Sequence, residues 1–123
     1  MAISTLDTDT RNAALQAANT ELNDGAGSNA TYEYLVAGGG TVLIAWDLDG
    51  AAPFTTAGST TAGTAELTGE PITATAVATG TAAEYRIKDK DGAIRRSGVL
   101  DATLAVTSGS VYNLSATAAM PAS

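Results

Sequence analysis

The chain has 123 residues, of which 6 are basic and 13 acidic, so its formal net charge is −7 at pH 7. This length suits one hydrophobic core, and we expect a single domain over residues 1–123. The acidic balance argues against nucleic acid as a partner, because neutralising phosphates needs a dominant basic face. The chain has no Cys and no His, which removes thiolate nucleophiles, the usual general base and the commonest metal ligands. We therefore expect no enzymatic activity and no cofactor, since hydrolysis by carboxylates alone would need a cleft that the sequence does not indicate.

Small residues dominate the composition and predict a thin core. There are 26 Ala and 19 Thr, whereas aromatic residues make up only 5%. Each Ala buries much less area than a Leu or Phe, so at roughly 25 cal/mol per Å² the apolar stabilisation per residue is below that of a typical domain. Association is a common remedy for a weak core, and we expect a homo-oligomer.

The segment of about residues 8–23 is predicted to be the one α-helix. Leu15, Ala18 and Leu22 recur at the i, i+3, i+7 spacing of a helical face, and the segment contains neither Gly nor Pro. Gly25 follows and suits the left-handed conformation that ends a helix.

After Gly25 the apolar period changes from 3.6 to 2, which predicts short strands between turns. The strongest is "TVLIAWDL" (41–48), where Val42, Ile44, Trp46 and Leu48 share one face and should supply the largest core residues. Seven or eight such strands over about residues 30–120 predict a mainly β fold, a β-sandwich or jelly-roll-like domain preceded by one N-terminal α-helix. The low-complexity stretch 54–64 fits either a loop or a flat edge strand.

Two DxDG elements, at 47–50 and 89–92, resemble the start of a calcium loop. A calcium loop of the EF-hand type also needs ligands at its fifth and twelfth positions. Those positions are Ala51 and Gly58 in the first element, and Ala93 and Leu100 in the second. Both elements are therefore predicted to be tight turns, with no metal site.

Five of the six basic residues lie within "EYRIKDKDGAIRRSG" (84–98). They are Arg86, Lys88, Lys90, Arg95 and Arg96. The stretch reads as a β-hairpin that turns at 89–92, with Arg86 and Lys88 on one face and Arg95 or Arg96 nearby across the strands. One interpretation is a solvated hairpin whose charges prevent edge-to-edge aggregation. The other is a protein interface that contacts an acidic surface, including another copy of this chain.

The order of these segments resembles a group of small structural proteins encoded by tailed phages and prophages. The residues that carry the resemblance are the helix "TRNAALQAA...LNDGAG", then "TATAVATGTAAEYRIKDKDGAIRRSGVL", then "DATLAVTSGSVYNLSATAAMPA". In that group a helix ending in a Gly-rich turn precedes a β domain with a "GTAxxxRIxDxDG" segment and a closing strand that ends in "PA". Residues 30–60 match less well, and "IRRSG" is more basic than the group's pattern.

The resemblance implies a virion component, and a capsid decoration (cement) protein in particular. Such a protein would bind the major capsid protein on the outside of the phage head after synthesis in the host cytoplasm. A neck, tail or fibre-associated position is the alternative, with host carbohydrate as ligand; its candidate anchors are Tyr32, Tyr34, Trp46 and Tyr112. No stretch approaches the roughly 18 apolar residues of a membrane helix, and the N-terminal residues lack a secretion signal, so we expect no membrane partner.

Overall fold

The computed structural model describes residues 8–56, 58, 64–115 and 117–119, and its fold is mainly β with one N-terminal helix, as predicted. Helix α1 spans Thr8–Glu21. The strands of the described residues are β1 (Thr31–Leu35), β2 (Val42–Asp47), β3 (Thr64–Glu66), β4 (Ile72–Thr75), β5 (Gly80–Lys88), β6 (Ile94–Val106), β7 (Val111–Leu114) and β8 (Thr117–Ala119). The helix is two residues shorter than predicted, because the N–H of Leu22 bonds to the carbonyl of Asn19, three residues back, and begins a turn.

Four strands form an antiparallel sheet in the order β2-β1-β5-β6. Tyr32 in β1 lies opposite Trp46 in β2 and Ile87 in β5, so these three side chains share one face. All three are buried, together with Ile44. The prediction that the strand around Trp46 supplies the largest core residues is confirmed.

Two shorter ladders complete the domain, β4 with β7 and β3 with β8. The β4–β7 ladder lies beside β2, where the N–H of Val77 donates to the carbonyl of Leu43 at 2.8 Å. The indole N–H of Trp46 donates to the carbonyl of Tyr112 in β7 at 3.1 Å. Apart from Leu35, the buried apolar residues of the described chain form one cluster, to which the helix and the strands contribute. The architecture is β-sandwich-like, one of the two predicted.

The buried face of α1 differs from the predicted stripe at one position. Leu15 and Leu22 are buried as expected, but Ala18 is exposed and Asn19 is buried in its place. The buried face of the helix is therefore formed by Leu15, Asn19 and Leu22, at the spacing i, i+4, i+7. Asn19 takes this position because its amide oxygen accepts a hydrogen bond from Arg96 of the sheet.

The structure describes only part of the low-complexity stretch 54–64. Phe54 is buried and forms an isolated bridge with Leu67, and the N–H of Thr55 donates to the carbonyl of Glu66 at 2.8 Å. Thr64 begins β3. Residues 57 and 59–63, on which the choice between loop and strand depends, lie outside the described residues.

The basic hairpin as candidate functional site

Strands β5 and β6 form the predicted hairpin, and Asp89 organises its turn. The turn is closed by hydrogen bonds between Asp89 and Ala93, and Gly92 has a φ of 83°. The buried carboxylate of Asp89 accepts hydrogen bonds from the N–H groups of Asp91 (2.9 Å) and Ala93 (3.0 Å) and from Nε of Arg95 (2.8 Å). The bond from Arg95 and these N–H groups hold the pKa of Asp89 below its usual value. The prediction that this DxDG element is a turn is confirmed.

The first DxDG element is also a turn. One carboxylate oxygen of Asp49 accepts hydrogen bonds from the N–H groups of Ala52 and Ala51, each at 2.9 Å, and these bonds lower the pKa of Asp49. One of the two Asp49 carboxylate oxygens is thus engaged with the backbone of the turn. Over the described parts of the chain, no three Asp or Glu side chains are grouped so that they could hold a metal ion.

Arg86 and Lys88 share a face of the sheet, as predicted, and both contact Glu33. Glu33 in β1 lies opposite Arg86 in β5, and its side chain is only 10% exposed. Its Oε1 accepts a short hydrogen bond from Nε of Arg86 and lies 3.3 Å from Nζ of Lys88. One buried carboxylate therefore partners two of the five basic side chains.

Arg96 lies on the opposite face from Arg86 and Lys88, which differs from the expected grouping. It pairs with Ile87, while Arg95 is an extra residue in a β-bulge between the pairs Ile87–Arg96 and Lys88–Ile94. The bulge shifts the register, so the basic side chains do not form one patch. Arg86 and Lys88 lie on one face, Arg96 lies on the other, and Arg95 lies with Lys90 near the end of the helix.

Arg96 joins the sheet to the helix. Its Nη2 donates a short hydrogen bond to Oδ1 of Asn19, and its guanidinium carbon lies 5.4 Å from the centre of the Phe54 ring. Burial lowers the pKa of Arg96. The guanidinium group of Arg96 thus lies between α1 and the segment that follows β2.

Arg95 and Lys90 fasten the hairpin turn to the end of the helix. Arg95 contacts Asp89, Glu21 (3.1 Å) and Asp24 (4.0 Å), which together raise its pKa. The N–H of Lys90 donates to the carbonyl of Asp24 at 2.9 Å, and its Nζ donates to the carbonyl of Gly50 at 2.7 Å.

The "NDGAG" sequence after the helix is explained by this contact. Gly25 has a φ of 116°, and a Cβ atom there would lie 2.6 Å from Cγ of Asp91. A Cβ atom at Gly27 would overlap the carbonyl oxygen of Lys90. The N–H of Ala26 donates to Oδ1 of Asp91 at 3.0 Å. Only glycine allows the two backbones to approach this closely.

All five basic side chains thus have partners within the chain, which explains why an acidic protein gathers its positive charge in one stretch. They bind its own carboxylates, amides and carbonyls. Their role at a protein interface stays a prediction. Glu33 and Asn19 cannot be identified from the sequence alone, because their burial depends on which elements become neighbours in the fold.

Of the four aromatic candidates for carbohydrate binding, Trp46 and Tyr32 are buried, and Tyr34 and Tyr112 are partly buried. Trp46 is 1% exposed, and its ring centre lies 4.8 Å from that of Tyr34. Tyr32 stacks on Tyr85 at 5.6 Å, and burial raises the pKa of Tyr32. The hydroxyl of Tyr112 accepts a hydrogen bond from the N–H of Thr107. Trp46 and Tyr32 therefore offer no open ring face on which a sugar could stack.

Comparison with known proteins gives no indication of the family or function of the chain. No protein-family model, curated protein or solved structure matches it. Across the residues that the structure describes, no helix is long and apolar enough to cross a membrane.

Proposed function

We propose that the chain is a structural protein of a tailed-phage virion, a decoration protein that binds the outside of the head and stabilises contacts between major capsid subunits. The observation that carries the proposal is the structural role of the "GTAxxxRIxDxDG" segment in this fold. The resemblance to phage structural proteins rests in part on this segment. Its charged residues Arg86 and Asp89 are engaged inside the fold. The segment therefore builds a scaffold, and a decoration protein needs a scaffold with contact surfaces more than a reaction site.

The exposed apolar side chains fit this role. Among the residues whose burial the structure describes, four large apolar side chains are well exposed, namely Val77, Ile94, Val99 and Val111, with exposed fractions of 55% to 75%. Scattered exposed valines are ordinary, but here they occur in a chain whose aromatic residues are all buried or partly buried. Contacts with capsid subunits, and with further copies of this chain, would cover part of this surface.

The test is to compare phage particles made with and without this chain. Cryo-electron microscopy of the complete particles should show regular density for a β domain on the outside of the head. Particles made without the chain should lose their DNA at a lower temperature, and adding the purified protein back should restore the wild-type release temperature. A heat-unfolded sample of the same protein is the control for the addition.

Density confined to the neck, tail or fibres would replace the decoration role with the alternative position in the virion. Unchanged DNA release in particles lacking the chain, with no density on the head, would refute a capsid-stabilising role. Binding to host carbohydrate would then need anchors other than Trp46, which is buried.

A further inference from the structure

A cleft lies between the C-terminal part of α1 and the segment that follows β2. Its volume is about 120 Å³, and it is lined by residues 51–54 and by the side chains of Gln16, Asn19, Thr20 and Asn23. Gln16 and Thr20 are exposed and form the mouth, whereas Asn19 is only 4% exposed. None of the described residues that line the cleft is charged, so a neutral ligand suits it better than an ion.

Two amide atoms of this lining are buried without a hydrogen-bond partner among the described residues. They are Nδ2 of Asn19, a donor, and Oδ1 of Asn23, an acceptor. Native folds rarely leave such atoms unpaired, and a group bound beside them is a common explanation.

The orientation of each amide is fixed by its other atom. Oδ1 of Asn19 accepts a hydrogen bond from Arg96, which is not part of the lining, and Nδ2 is left for the side of the cleft. Nδ2 of Asn23 donates to the carbonyl of Ala51 at 3.0 Å, at the wall of the cleft. Turning either amide over would bring two donors or two acceptors together, so the cleft has one fixed donor and one fixed acceptor.

A hydroxyl group completes this pair of atoms. Its oxygen accepts a hydrogen bond from Nδ2 of Asn19, and its O–H donates to Oδ1 of Asn23. A carboxylate can only accept and an ammonium group can only donate, so neither of them serves both amides.

The rest of the lining suits a compound that has carbon atoms and more than one hydroxyl. The Thr20 hydroxyl donates to the carbonyl of Gln16 at 2.8 Å, and its oxygen can still accept from a second hydroxyl of the ligand. Residues 53–54 are Pro and Phe, which offer apolar surface to the C–H groups of a ligand.

The size of the cleft limits the ligand. At roughly 30 Å³ per water molecule, a volume of about 120 Å³ corresponds to about four waters. This is room for a small polyol, or for one edge of a single sugar ring whose remainder stays in solvent. Both unpaired atoms are closed off from solvent, so the ligand has to displace the side chains of Gln16 and Thr20 at the mouth.

We propose that this cleft binds a neutral ligand with neighbouring hydroxyl groups, through Asn19 as donor and Asn23 as acceptor. A free polyol and the terminal sugar of a glycan share this chemistry. A ligand of this size binds weakly, with a Kd on the order of 1 mM. The proposal does not depend on the decoration role and makes no use of Trp46.

The test is an NMR titration of the isotope-labelled full-length protein. The neutral probes are glycerol, methyl glucoside and methyl galactoside, and the charged probes are acetate and methylammonium. At concentrations on the order of 10 mM, a neutral probe should shift the side-chain NH₂ signals of Asn19 and Asn23 in a saturable way, and the charged probes should not. Saturation by glycerol would identify a polyol site, and saturation by a glycoside alone would identify a sugar site.

Two variants locate the binding in the cleft. Asn19→Asp keeps the oxygen that Arg96 binds and removes the donor, so it should weaken binding about tenfold without lowering the unfolding midpoint. Ala52→Leu fills the cleft from its exposed side and should abolish binding. Ala13→Leu, at an exposed alanine of the same helix outside the lining, is the matched control and should bind as the wild type does.

Three results would overturn the proposal. The first is that no neutral probe gives saturable shifts at Asn19 and Asn23, which would leave water as the only group in the cleft. The second is that acetate or methylammonium binds there more tightly than every neutral probe. The third is that Ala52→Leu binds as well as Ala13→Leu.

Discussion

The Glu33→Gln variant should unfold far more easily than the wild-type protein. The Glu33 side chain is 10% exposed and faces Arg86 and Lys88, which are 20% and 26% exposed. Breaking a fully buried ion pair costs about 3–5 kcal/mol, and breaking an exposed pair costs at most about 1 kcal/mol. Since the two cations remain partly hydrated, we expect a loss of about 2–3 kcal/mol in the free energy of unfolding.

Thermal and urea unfolding followed by circular dichroism would measure this loss. With an unfolding entropy of about 2.1 cal/mol/K per residue, the melting temperature should fall by about 8–12 °C. Asp47→Asn, which removes an exposed carboxylate from β2 of the same sheet, is the control and should change the stability by less than about 0.5 kcal/mol.

A double-mutant cycle with Arg86→Met separates the ion pair from other effects of the substitution. The two changes should be non-additive by about 1–2 kcal/mol if the residues interact as described. A Glu33→Gln protein as stable as the Asp47→Asn control, or additive effects in the cycle, would refute the view that this carboxylate holds the basic residues.

Three other changes test separate parts of the fold. Trp46→Ala should cost about 3–5 kcal/mol in urea unfolding, because a 1% exposed ring leaves a cavity; a loss below about 1 kcal/mol would contradict its core position. The pKa values of Asp89 and Asp49 are lowered from 3.8 in the folded protein, so the unfolded chain binds more protons at acidic pH. The resulting stabilisation should be complete above about pH 5 and lost as the pH falls through the folded-state pKa values. Asp89→Asn should therefore flatten the pH dependence of the urea midpoint. An equally steep dependence in this variant would count against the lowered pKa of Asp89. Gly25→Ala should lose at least about 1 kcal/mol more than Gly109→Ala in the same assay, because both have positive φ but only Gly25 contacts neighbouring atoms, and equal losses would argue against the close approach.

Local sequence patterns predicted the elements but not their partners. The helix, the strand around Trp46 and the turn at Asp89 follow from periodicity and turn chemistry within a few residues, and the structure confirms them. The burial of Glu33 does not follow from its neighbours, because alternation alone places it on the face away from the tyrosines. It becomes buried when β5 pairs with β1, more than fifty residues away in the chain.

The basic stretch shows the same limit. Its hairpin could be predicted from "DKDG", but a bulge at Arg95 separates the side chains that a regular hairpin would have placed together. Likewise, the face of α1 was read from the spacing of Leu15, Ala18 and Leu22, whereas Arg96 on a distant strand decides that Asn19 is buried. Bulges and long-range polar contacts carry little signal in the local sequence.

The attachment of the helix end to the hairpin has a consequence for the protein's synthesis. Ala26 and Asp91 are 65 residues apart in the chain, and Glu21 and Arg95 are 74 apart. At about 5–20 residues per second, a ribosome needs roughly 3–15 s to make the hairpin residues that these contacts require. A free helix of 14 residues is marginal in water, so this segment has no stable fold during that interval. The helix segment is therefore made before the hairpin but takes its place only once the hairpin is present.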